Sequence, residues 1–128
     1  MPHIYIEYTS NLKEEINIRQ LMAEVHFSVL DQHSDTIPNG GFRTRAIEID
    51  DFIIADGKED DAFIHITMKI GRGRTEEKKE AIKQTVFDAL RKGTEGIYNR
   101  RYLALSVELH EFQRETLKIN NIKERYRQ

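Results

Sequence analysis

The alternation of apolar and polar side chains opens the chain on a strand. In His3-Ile4-Tyr5-Ile6-Glu7-Tyr8, residues Ile4, Ile6 and Tyr8 fall on one side and His3, Tyr5 and Glu7 on the other, the period of a half-buried strand. Thr9-Ser10-Asn11 reads as a turn. The period then lengthens: Leu21, Val25 and Val29 recur four apart, Ile18 and Met22 widen the stripe, and Arg19, Glu24 and Asp31 lie off it, which predicts a helix over residues 18–31 with one face for the core. Asn17 and Gln20 stand at the spacing of a capping box at its start. His26 has no His, Asp or Glu at i+4 and reads as a flank residue of this helix, not a metal ligand.

Residues 34–41 are dense in chain breakers and read as loop. A strand over residues 42–50 follows, with Arg43, Arg45, Ile47 and Ile49 on one side. Phe52-Ile53-Ile54 reads as a short extra strand before a turn at Asp56-Gly57-Lys58, and Glu59, Asp60 and Asp61 as a solvated acidic loop. The strongest alternation lies over residues 62–70, where Ile64, Ile66, Met68 and Ile70 oppose Phe63, His65, Thr67 and Lys69. A second helix opens at Glu76-Glu77 and carries Ile82, Val86 and Leu90 on one line; Gly93 and Gly96 weaken it, so its end falls between residues 92 and 99. Residues 103–110 alternate again. The tail, 113–128, is polar and basic with Leu117, Ile119 and Ile122 as apolar anchors, and suits docking on a neighbouring subunit.

Residues 1–50 and 62–110 thus share one plan. Each is a strand-helix-strand unit, and together they predict an α/β (α+β) fold: a duplicated β-α-β, with a four-stranded sheet and two helices on one face. At 128 residues the chain suits a single domain, 1–128, with 111–128 as its tail. Apolar residues on both sides of some strands, with little chain left to cover them, predict an oligomer.

Composition narrows the chemistry. No apolar run is long enough to cross a bilayer, so no membrane role is expected, and the absence of cysteine removes disulfide and thiolate chemistry and is compatible with the cytoplasm. A net charge of −2 argues against a general nucleic-acid binder. The basic groups also lack interleaved stacking aromatics. Six arginines, however, fall in three close pairs: Arg43 with Arg45, Arg72 with Arg74, Arg100 with Arg101. Two converging pairs would make a small-anion site, because guanidinium groups bind carboxylates bidentately; each pair alone reads better as a solvated charged face. Gly71-Arg72-Gly73-Arg74-Thr75 sits between a strand and a helix start, where backbone amides approach anions. It has neither the third glycine of a dinucleotide site nor a phosphate-loop lysine. Finally, Met1 precedes the small residue Pro2. Its removal would leave a secondary amine on a rigid strand, a base near neutral pH, although a proline in second place is often of no consequence.

These residues together resemble a known family. The Met1-Pro2-His3 start, Gly41-Phe42-Arg43-Thr44-Arg45, the Ala55-Asp56-Gly57 turn, residues 63–74, Leu103-Ala104-Leu105-Ser106 and Lys118-Ile119-Asn120-Asn121 are similar to the 5-carboxymethyl-2-hydroxymuconate isomerases of the tautomerase superfamily. The resemblance implies a homotrimer, no metal or organic cofactor, and an isomerase that ketonises an unsaturated dienol acid in the catabolism of an aromatic acid, homoprotocatechuate. It implies Pro2 as general base and acid, Arg43 and Arg74 as catalytic groups that bind or polarise the carboxylate substrate, and Arg45, Arg72 and Phe42 as substrate-binding neighbours. Arg72 and the Gly93–Gly96 stretch depart from the family pattern. Two other readings fit the same residues: an orphan tautomerase or hydratase on another unsaturated acid, and a non-catalytic small-anion-binding module.

Overall fold

The computed structural model describes residues 1–126; Arg127 and Gln128, the end of the tail, lie outside the described residues. Four strands, β1 (His3–Thr9), β2 (Arg43–Ile49), β3 (Ala62–Ile70) and β4 (Leu103–Glu111), form one sheet in the order β2-β1-β3-β4. β1 runs parallel to β2 and β3 parallel to β4, while β1 and β3 are antiparallel, so the two β-α-β halves meet along their first strands. Helices α1 (Ile18–His33) and α2 (Glu76–Tyr98) link the parallel pairs.

Both helices cover the same face of the sheet. Ile4 and Ile6 of β1 and Ile64, Ile66, Met68 and Ile70 of β3 are fully buried in one cluster with Leu21, Val25 and Val29 of α1 and Ile82, Val86 and Leu90 of α2. The caps follow local chemistry: Asn17 accepts from the Gln20 amide at 3.1 Å and Thr75 accepts from the Lys78 amide at 3.1 Å, each satisfying an otherwise orphaned donor. α2 continues through both of its glycines. At Gly93 a Cβ would lie 2.8 Å from Leu21 and Glu24 of α1, so the residue that weakens the helix lets the two helices approach.

One expectation is corrected. Phe52-Ile53-Ile54 forms no strand: Ile53 is 87% exposed and the chain turns through a positive φ at Ala55 and again at Gly57. The open face of the sheet is mixed: it carries Ile47, Ile49 and Phe63 beside a polar centre in which the register brings together Arg43 and Arg45, His3, Tyr5 and Glu7, His65, Thr67 and Lys69, and Ser106, Glu108 and His110. There Glu108 bridges His65, at 2.7 Å, and His110. Leu117 and Ile119, two of the three apolar anchors expected in the tail, are almost wholly exposed on the single chain.

His33 is buried, with Nε2 2.8 Å from the Thr85 hydroxyl and no partner for Nδ1. Burial, aided by Lys78 and opposed by Asp35, holds its pKa below the ordinary 6.5. The unfolded chain therefore binds the proton more readily, and stability falls as the pH drops below about 6.5. His3 and His26 are shifted in the same direction. In urea titrations from pH 7.5 to 5, His33→Gln, which keeps a donor toward Thr85, is expected to flatten part of that loss. Ile66→Ala is expected to cost about 2–5 kcal/mol, against less than about 0.5 kcal/mol for Ile53→Ala, read from the same curves.

Candidate active site

Because β1 lies between β2 and β3, the start of the chain is held where the start of β2 and the end of β3 meet. His3 is paired with Arg43 on one side and Lys69 on the other. Pro2 is buried, and its carbonyl accepts the Arg43 amide at 3.2 Å. The turn at Asn39–Gly41 and the returning tail complete a groove of about 910 Å³ around the terminus, with Met1, Pro38, Arg43, Lys118 and Asn120 in its walls. Gly40 permits this closure. A Cβ there would lie 2.7 Å from the Cα of Lys123, so only glycine lets the tail lie flat.

The groove is cationic. The terminal amine, carried by Met1, has its pKa held below the ordinary 8.0, first by burial and then by Lys118, Arg74 and Arg43. His3 is lowered in the same way, by burial and then chiefly by Arg45, whose Nη2 lies 2.7 Å from His3 Nδ1. Since guanidinium only donates, that nitrogen accepts, and the ring proton of neutral His3 is on Nε2.

The arginines predicted as a group divide their work. Arg43 directs Nη2 at the Met1 sulfur, 3.4 Å away. Arg74 is half-buried and fixed by three bonds, from Nε to the Thr36 hydroxyl at 2.8 Å, from Nη2 to the Thr36 carbonyl at 2.6 Å and from Nη1 to the Gly71 carbonyl at 3.0 Å. It reaches the terminus as a positioned charge. Arg45 stacks over the Tyr5 ring with 4.1 Å to the centroid, on the open face. Arg72 turns away to the Phe112 carbonyl at 3.0 Å. Phe42 is buried, stacked at 4.3 Å on His26, which in turn bonds Thr44, so it shapes the wall from behind. Arg100 and Arg101 sit at the other end of the sheet, bound to Glu15 and Asp60. The strand-helix turn at residues 71–75 makes no anion cradle of its own: Thr75 caps the helix and Glu76 and Glu77 occupy its first turn.

Lys118 and Asn120 were given no role from the sequence, although they lie in a stretch that carries the family resemblance. Asn120 Nδ2 bonds the Gly40 carbonyl at 2.7 Å, a contact across 80 residues that no local pattern announces. Among the described residues no group of three or more His, Cys, Asp or Glu is placed to hold a metal ion, and no helix is long and apolar enough to cross a membrane.

Comparison with known proteins gives this geometry its kin. The family model described as 5-carboxymethyl-2-hydroxymuconate isomerase matches residues 2–126. The 5-carboxymethyl-2-hydroxymuconate Delta-isomerase of Escherichia coli is 32% identical over 111 residues, 87% of this chain and 86% of that protein. The crystal structure of a 5-carboxymethyl-2-hydroxymuconate isomerase from Deinococcus radiodurans R1 superposes with a TM-score of 0.92 at 38% identity, covering 99% of this chain and 95% of that one. A fused 4-OT symmetric trimer shares the fold at 17% identity, with a TM-score of 0.67 over 93% of this chain and 92% of its own. A family match from Pro2 almost to the end of the tail, on a tautomerase fold, makes this chain a member of the 5-carboxymethyl-2-hydroxymuconate isomerase family.

Proposed function

We propose that the protein ketonises 5-carboxymethyl-2-hydroxymuconate, or a dienol acid of that class, with the amine of Pro2 as the proton carrier after loss of Met1, in the breakdown of an aromatic acid. The observation that carries this reading is the half-buried chain start among Lys118, Arg74 and Arg43. A secondary amine freed at Pro2 would lie in the same groove, where burial and nearby cations disfavour its charged form.

The chemistry follows from the residues. The substrate is anionic and conjugated, and the cationic groove draws its carboxylates in and holds the diene beside the amine. Pro2 nitrogen takes the enol proton; the electrons of the O–H bond become the carbonyl, the conjugated system shifts, and the same nitrogen returns the proton to a carbon further along the chain. Arg43 faces the groove and stabilises negative charge developing on oxygen. Arg74, fixed by Thr36 and Gly71, lowers the basicity of the amine and keeps it ready to release its proton. No cofactor is needed for this proton transfer, and the cysteine-free chain suits a cytoplasmic enzyme.

The assembly we infer is a homotrimer. Exposed Leu117 and Ile119, with edge strands β2 and β4 free on the described chain, favour contacts between copies, and a relative of the same fold is described as a symmetric trimer. Leu117→Asp with Ile119→Asp is expected to shift the mass in light scattering from trimer toward monomer; an unchanged mass would remove these residues from the interface.

Pro2→Ala leaves a primary amine and is expected to lower kcat, within the roughly 10²–10⁴-fold that general acid–base help contributes. Arg43→Ala is expected to raise KM as well as lower kcat. Because the base must be neutral, kcat/KM should rise with pH through a midpoint below that of an exposed N-terminal proline amine, the direction in which burial and the cations move an amine at the chain start. Full activity in a chain shown by intact mass to retain Met1 would refute the amine's role.

A further inference from the structure

The side chain of Met1 occupies a place built for a better acceptor than sulfur. Two donors from distant parts of the chain converge on its thioether, Arg43 Nη2 at 3.4 Å and Asn120 Nδ2 at 3.5 Å. Asn120 is not free to turn away. Its Oδ1 accepts the Ile122 amide at 2.9 Å and one Nδ2 proton goes to the Gly40 carbonyl at 2.7 Å, which fixes the amide and aims the second proton into the groove. A thioether accepts hydrogen bonds weakly, whereas a planar guanidinium matched with an amide N–H suits a carboxylate oxygen. The ammonium-bearing Lys118 lines the same groove, close enough to depress the terminal amine.

We propose that Asn120 and Arg43 form a carboxylate clamp in which Met1 Sδ stands in for a substrate carboxylate oxygen, so that the unprocessed chain blocks its own substrate site and loss of Met1 empties the clamp as it frees the amine. This rests on the reading of the groove as the isomerase site and adds to it a binding residue contributed by the tail. Arg74 spends three of its donors on Thr36 and Gly71, whereas Arg43 and Asn120 both aim a donor at the Met1 sulfur. Gly40 is the positioning residue. A methyl there would push against the backbone of Lys123 and lift Asn120 away from the groove.

Binding calorimetry with two inert probes of equal length tests the clamp: muconate, a dienoic acid with a carboxylate at each end, and sorbate, which replaces one carboxylate by a methyl. The processed chain is expected to prefer muconate by about 10- to 100-fold, the range for a charge-assisted pair of hydrogen bonds. Asn120→Ala is expected to cut that preference about tenfold, and Gly40→Ala to do the same with Asn120 intact. Wild-type chain made with methionine aminopeptidase inhibited, and verified by mass to keep Met1, is expected to lose muconate binding, a comparison that requires no substitution. The clamp is overturned if processed and Met1-bearing chains bind muconate alike, if the processed chain does not distinguish muconate from sorbate, or if Asn120→Ala keeps the preference. These are equilibrium measurements, so a failure of the proline chemistry would appear in the pH profile of turnover and leave them standing.

Discussion

The position of β1 in the sheet is the constraint on which the site depends. A chain terminus is ordinarily the most mobile part of a protein, and a mobile amine is a poor proton carrier because the geometry of transfer must be held within a fraction of an ångström. Here the first strand is second in the order β2-β1-β3-β4 and is hydrogen-bonded along both edges, with Ile4 and Ile6 locked into the core beneath. Pro2 continues that strand by a single residue, and its carbonyl is tied to Arg43. The terminus therefore carries the rigidity of the middle of a sheet.

Hydrogen-bond partners then distinguish arginines that look alike in the sequence. Arg43 and Arg45 are on the same side of one strand, two residues apart, yet one faces the groove and the other lies on Tyr5 and bonds His3. Arg74 and Arg72 flank one glycine, yet one is fixed by Thr36 beside the terminus and the other reaches across the turn to Phe112. Side-chain direction and the partners within reach, more than charge, decide which of them act on the amine.

The elements were legible because periods of 2 and 3.6 are strong over residues 3–9, 62–70 and 76–98, and the duplication followed from seeing the same plan twice. Phe52-Ile53-Ile54 misled for a physical reason: three apolar residues in a row suggest burial, but no strand lies beside them and the backbone turns at Ala55. Alternation shows which residues of one strand share a side, but which of them meet across strands depends on register, and register depends on partners dozens of residues away. Around the groove, the places of Pro2 and Arg43 at the starts of two strands were legible from the alternation that follows each. The place of Asn120 was not, because it comes from a contact with Gly40, nor was the stacking of Phe42, because its neighbour His26 belongs to a helix sixteen residues earlier.

The tight seat of Lys123 over Gly40 has a consequence for biosynthesis. Gly40 and Lys123 come from segments far apart in the chain, so the groove is roofed only once the tail has returned over the sheet. At a synthesis rate of about 5–20 residues per second, the roughly 80 residues between them take about 4 to 16 s to make. Over that interval the groove stands unroofed, with the turn and strand starts that line it already made.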